Sequence, residues 1–133
     1  MTILRITSPL SPELDTLVRH SIGAFLAVHR ELGSGMNEGV YAAAVRVELS
    51  ERGIPFEAEK TYPVRYKGKL LCRQRLDLLI DRQLVVEIKS VEEIHPVHVA
   101  QVVSYLRLSC ARVGLLVNFN VPVLKQGIRR VVL

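Results

Sequence analysis

Two acids and a lysine are the residues here best spaced to do chemistry. Asp77 lies in Arg75-Leu76-Asp77-Leu78-Leu79-Ile80, and Glu87 and Lys89 lie in Leu84-Val85-Val86-Glu87-Ile88-Lys89. Both segments are short, apolar and β-branched, and Asp81-Arg82-Gln83 separates them, so they read as two strands of a hairpin. A turn centred on Arg82 places residues whose numbers sum to 164 opposite each other. Asp77 then faces Glu87, Leu79 faces Val85 and Arg75 faces Lys89. The other side pairs Leu76 with Ile88, Leu78 with Val86 and Ile80 with Leu84, all apolar. A slip of one residue would destroy that division, so the pattern supports the register. The turn lacks the glycine that a three-residue hairpin loop prefers.

Like charges facing each other on a sheet are destabilising, and half-buried carboxylates are costly unless compensated. A hard divalent cation compensates them: Mg²⁺ or Mn²⁺ takes oxygen ligands, commonly one or two carboxylates plus substrate phosphate. Lys89 shares the face of Glu87 because side chains alternate along a strand. Acid, acid and lysine around one point suit phosphodiester hydrolysis, with metal to polarise phosphate and acidify water and lysine to orient that water or offset charge.

The rest of the chain must position these groups. Its 133 residues predict one domain, 1–133, with a real core. The longest apolar runs are strand-length, so no membrane span is expected. Met1-Thr2-Ile3-Leu4-Arg5 lacks the features of a secretory leader, which makes a cytoplasmic location the default expectation. Cys72 and Cys110, with no CxxC, suggest neither a disulfide framework nor structural zinc, and read as small buried hydrophobes. The net charge of +5 and a pI near 9.6 permit a polyanionic partner without identifying one.

Ser11-Pro12 marks a helix start, and apolar residues at Leu14, Leu17, Val18, Ile22, Phe25 and Val28 carry the helix to Leu32-Gly33. A second helix is expected from about Met36 to Arg52, stopped by Gly53, with Glu38, Tyr41 and Val45 on one stripe. Strands follow over Ile54–Glu59 and Thr61–Tyr66, the latter another strand or a continuation. The Asp77 and Glu87 strands come next, then a helix from Pro96 to about Cys110, a buried strand over Val113–Val117 and a short strand within Gly127–Leu133. The order ααβββαβ indicates an α/β fold with a mixed sheet flanked by helices. On the last helix His98, Gln101 and Tyr105 share one face.

Gly35-Met36-Asn37-Glu38-Gly39-Val40-Tyr41 has the pattern Gly-x-x-Glu-x-x-Tyr. Together with Asp77, Glu87-Ile88-Lys89 and Gln101-Val102-Val103-Ser104-Tyr105, it resembles the GxxExxY protein family, a branch of the PD-(D/E)XK nuclease superfamily. The resemblance implies a single-domain PD-(D/E)XK, restriction-endonuclease-like fold and a divalent-metal-dependent nuclease, a phosphodiester hydrolase acting on nucleic acid, DNA in the first instance. It implies Asp77 and Glu87 as metal ligands, with the Ile88 carbonyl as a further ligand, Lys89 as catalytic lysine, and Glu38 as an acid joining the metal site directly or through water. Gln101 and Tyr105 match a Gln-x-x-x-Tyr motif that lies beside substrate in exonuclease-like branches. Leu76 stands where the superfamily name has proline.

Plainer readings stand beside these. Glu87-x-Lys89 alone is commonly a solvated strand face with a weak ion pair. Glu38 alone is a favourable first-turn charge, and Tyr41 reads as packing. His95 and His98 form an HxxH pair without a third ligand, so zinc is disfavoured. Arg65, Lys67, Lys69, Arg73 and Arg75 could track phosphates or merely blunt a strand edge. Two further functions compete: a nucleic-acid-binding module that does not cleave, and a protein-interaction domain with a structural cation. Sequence specificity would need loops, a homodimer or a protein partner.

Overall fold

The computed structural model describes residues 2–3 and 10–133. Its elements are β1 (Thr2–Ile3), α1 (Pro12–Leu32), α2 (Glu38–Glu51), β2 (Phe56–Tyr66), β3 (Lys69–Ile80), β4 (Leu84–Lys89), α3 (Pro96–Ser109), β5 (Val113–Asn118) and β6 (Ile128–Val132), with a 3₁₀ turn at Leu124–Gly127. The leader reading rests partly on Met1, Leu4 and Arg5, which lie outside the described residues. No helix among the described residues is long and apolar enough to cross a membrane.

Local chemistry accounts for the helix ends. The Ser11 side chain accepts from the Leu14 N–H at 3.2 Å, and Pro12 occupies the first turn of α1. Asn37 caps α2 by accepting from the Val40 N–H at 3.2 Å. Gly53, at φ +69°, follows the end of α2 as expected.

Among the described residues, six strands run in the order β1-β6-β5-β4-β3-β2. β4 and β5 are parallel neighbours joined through α3, while β2, β3 and β4 form an antiparallel meander, so the sheet is mixed. One core joins α1 and α2 to the sheet through Phe25, Tyr41, Leu49, Leu78, Val86 and Val117. A second core sets Val102, Tyr105 and Leu106 of α3 against Leu76, Val85 and Leu116. Gly114 permits that approach: a Cβ there would meet Val102 Cγ1 at 2.6 Å. The fold class is therefore as expected, a mixed sheet between helical layers.

The two predicted segments Ile54–Glu59 and Thr61–Tyr66 are one strand, β2, which continues through Glu59 in a left-handed conformation at φ +55°. The β3–β4 turn does without glycine by placing Asp81 and Arg82 at φ +48° and +58°, and the Gln83 N–H donates to Ile80 C=O at 3.0 Å. The reading of the cysteines as buried is corrected. Cys110 is an exposed left-handed residue ending α3, and Cys72 is exposed on the stretch of β3 that overhangs the sheet.

Candidate active site

The predicted hairpin register holds for Leu78–Val86, Leu79–Val85 and Ile80–Leu84, and there it stops. Leu76 does not pair with Ile88, nor Arg75 with Lys89; Arg75 pairs with Thr61 on the other side of its strand. Leu76 also leaves the face of Leu78 and enters the α3-side core. The cause lies at Asp77. Its position in the β2–β3 ladder, between the pairs Ala58–Leu78 and Lys60–Leu76, is unpaired where Glu59 turns left-handed. Strands β3 and β4 part at this point, as strands do at an irregularity beside a site.

Carboxylates fill the gap. Asp77 Oδ2 accepts from the Ile88 N–H at 2.8 Å, and Glu87 Oε1 accepts from the Asp77 N–H at 3.0 Å. Each acid thus replaces a lost backbone partner and is held rigidly, while Asp77 Oδ1 and Glu87 Oε2 take part in neither bond. The Lys89 carbonyl accepts from the Phe119 N–H on the β5 side. By strand alternation the Ile88 carbonyl points the other way, with its own N–H, toward the opening.

Lys89 Nζ donates to Gln101 Oε1 at 3.3 Å, so α3 supports the lysine. Tyr105, on the same helix face, is buried. Burial raises its phenol pKa first, and the Glu87 and Asp77 charges raise it further, which keeps it a neutral donor. His98 is pushed the other way, by burial first and then by Lys89 and His95. Its Nδ1 accepts from the His95 N–H at 3.0 Å, so the HxxH pair is a helix cap.

Glu38 comes from the opposite helical layer, at the first position of α2. Its carboxyl pKa is raised by partial burial, lowered by Lys89 and raised by Asp77, so it lies within range of both charges. Among the described residues, no three His, Cys, Asp or Glu side chains gather closely enough to enclose an ion unaided. Glu38 thus stands at the rim of the Asp77–Glu87 pair.

The Gly-x-x-Glu-x-x-Tyr pattern has a structural reason. Tyr41 is buried and stacks on Phe119, with centroids 4.7 Å apart. Its hydroxyl donates to Gly33 C=O at 2.6 Å and accepts from the Met36 N–H at 3.2 Å, closing the loop that aims Glu38. Gly35, at φ +99°, donates its N–H to Asn120 Oδ1 at 3.2 Å. Ser90 Oγ donates to Met36 C=O at 2.6 Å, fastening that loop to the end of β4. Buried Asn118 holds Val91 by both its N–H and its C=O. Sequence reasoning assigned no role to Ser90, Asn118 or Asn120. The one available signal was the polar Asn118 closing the apolar run of β5. Tyr41→Phe should keep the stack yet cost about 1–3 kcal/mol by orphaning the loop's polar groups, as read by urea unfolding.

Glu87 is 5 % exposed. Burial, then the Asp77 charge, pushes its pKa from 4.5 up to about 8, against the opposing Asp77 N–H bond and Lys89 charge. The folded metal-free protein then holds a proton that the unfolded chain releases, so stability falls as pH rises from about 4.5 to about 8. Glu87→Gln, which can keep the bond from Asp77, should lose most of that slope. Urea midpoints at pH 5 and pH 8 for both proteins check this.

A groove of about 540 Å³ opens between β2–β3 and α3, with Val64 and Gln74 on one wall and Gln101, Tyr105 and Leu108 on the other. It is bordered by Gln101, which bonds Lys89, and by Tyr105, which feels the Glu87 and Asp77 charges. The family model of the PD-(D/E)XK nuclease superfamily matches residues 15–131. No curated protein and no solved structure matches the chain.

Proposed function

Because the chain belongs to the PD-(D/E)XK nuclease superfamily, we propose that it is a divalent-metal-dependent nuclease of the GxxExxY branch, hydrolysing phosphodiester bonds in DNA. The observation that carries this is the parting of β3 and β4, where Asp77 and Glu87 are pinned by backbone donors and Lys89 stands beside them, held by Gln101. A purely structural pair of acids would not require the fold to bury Glu87 beside Asp77 at such electrostatic cost.

PD-(D/E)XK nucleases generally use divalent metals such as Mg²⁺. The donor set fits: two carboxylate oxygens outside the backbone bonds and the Ile88 carbonyl suit a hard cation that keeps several waters. Bound there, Mg²⁺ or Mn²⁺ would supply Lewis acidity and a more acidic water. Asp77, Glu87 and the Ile88 carbonyl would hold it, with Glu38 joining them directly or through water. Lys89 orients the attacking water and offsets charge growing on the phosphate. Gln101 keeps Lys89 on its face and has its amide nitrogen left for substrate. Tyr105, kept neutral, donates to the sugar-phosphate backbone. Residues 1–133 act as one domain, in the cytoplasm.

The test is a cleavage screen of purified protein on single- and double-stranded DNA and RNA, with Mg²⁺, Mn²⁺ or chelator. Metal-dependent cleavage of DNA is expected. Absence of cleavage of every form under both metals overturns the proposal in favour of a non-cleaving binding module.

A further inference from the structure

The β2–β3 hairpin is longer than the sheet it joins. β4 pairs only with Leu78–Ile80 of β3, so Lys69–Asp77 runs on without a β4 partner, about 27 Å at 3.4 Å per residue. Every residue of Lys69–Arg75 on β3 is exposed, while Tyr62 and Val64 across from it on β2 are half-buried on the side that looks onto α3. Residues 60–76 hold six basic side chains (Lys60, Arg65, Lys67, Lys69, Arg73 and Arg75) and no acid, in a chain whose net charge is +5. Only Lys60 is in an ion pair, with Glu57 at 2.9 Å; the other five are in none among the described residues. The ribbon's base is the candidate site itself, since Asp77 ends the overhang.

We infer that this overhanging basic ribbon is a docking arm for double-stranded DNA of B form, laid into the major groove so that the adjacent strand reaches Asp77 and Lys89. The inference rests on the nuclease reading and specifies its substrate. A two-stranded ribbon fits the roughly 12 Å major groove of B-DNA, and cations along it meet phosphates on both walls. The deep, narrow major groove of A-form RNA does not admit it. An unpaired strand would need a series of exposed aromatic side chains to stack on. Of the seven Phe and Tyr residues only Tyr66 is exposed, at 62 %.

Fluorescence anisotropy of the full chain, in chelator so that no cleavage enters, tests this with a labelled 30-base-pair DNA duplex, its single strand and the matching RNA duplex. Arg65→Gln, Lys69→Gln and Arg73→Gln are combined in one variant. A control combines Arg19→Gln, Arg30→Gln and Arg52→Gln, which remove the same charge from exposed positions on α1 and just past the end of α2. Duplex DNA should bind tightest to wild type. The ribbon variant should lose about ten-fold or more in affinity, and its plot of log K against log salt should flatten by about 2.7, or 0.9 per phosphate contact. The control should keep the wild-type slope. Equal losses in both variants, or equal binding of single strand or RNA duplex, overturn the arm. Both outcomes are independent of cleavage: ribbon-dependent duplex binding without cleavage under any metal supports the arm and sinks the nuclease reading, and the reverse pattern does the opposite.

Discussion

Lys89→Ala is expected to lower the single-turnover cleavage rate by about 100- to 1000-fold, the usual cost of removing one contact to charge that develops in the transition state. The fold should survive, because Lys89 lies at the end of β4 and the hydrogen bond of its ammonium goes to the exposed Gln101, while its backbone bond from Phe119 stays. Metal-induced stabilisation should persist, since both carboxylates are held by backbone N–H groups and not by the lysine. Lys89→Arg should rescue little, because a planar guanidinium does not reproduce a compact ammonium. Gln101→Ala should give a smaller loss by freeing the lysine to wander. Undiminished activity in Lys89→Ala would place the chemistry elsewhere.

Asp77→Asn should abolish the stabilising effect of Mg²⁺ or Mn²⁺. In wild type, metal bound at this pair at a hundred-fold excess over its Kd would contribute about 2.7 kcal/mol, because only the folded state brings Asp77 and Glu87 together. For a chain of this size that is roughly 10 °C in Tm. The asparagine side chain can still accept from the Ile88 N–H, so the gap between β3 and β4 stays bridged, while Glu87 loses a repelling neighbour. The metal-free variant should therefore be at least as stable as wild type at pH 8. The wild-type response should also grow between pH 6 and pH 8, because metal must displace the proton that burial keeps on Glu87. Thermal melts across that range, with and without metal, read all three effects. Equal metal shifts in both proteins would rule out this pair as the principal site.

The hairpin register was legible because its polar turn and two apolar faces agree on one sum, and three pairs obey it. Its end was not legible. Alternation presumes an unbroken ladder, and nothing in Arg75-Leu76-Asp77 announces that a carboxylate will replace a backbone partner. The crossing of Leu76 to the α3 side depends on a left-handed Glu59, a conformation that glutamate seldom advertises. Helix boundaries were legible to a residue or two because Ser11, Pro12, Gly53 and Pro96 act locally. Cys72 was misread because hydrophobicity does not reveal which part of a strand overhangs its sheet. The contact between Lys89 and Gln101 needed the placement of α3 beside β4, which helical spacing can permit but not show. The roles of Ser90, Asn118 and Asn120 arise only where the Gly35 loop meets the ends of β4 and β5.

One measurement bears most directly on the central claim, that the pinned acids and Lys89 form a metal-dependent hydrolytic site: single-turnover cleavage of end-labelled duplex DNA by wild type and by Asp77→Asn, each with Mg²⁺ and with chelator. The expected result is cleavage by wild type with Mg²⁺ alone and none by the variant in either condition. Cleavage that persists in chelator, or that Asp77→Asn retains at the wild-type rate, would contradict it.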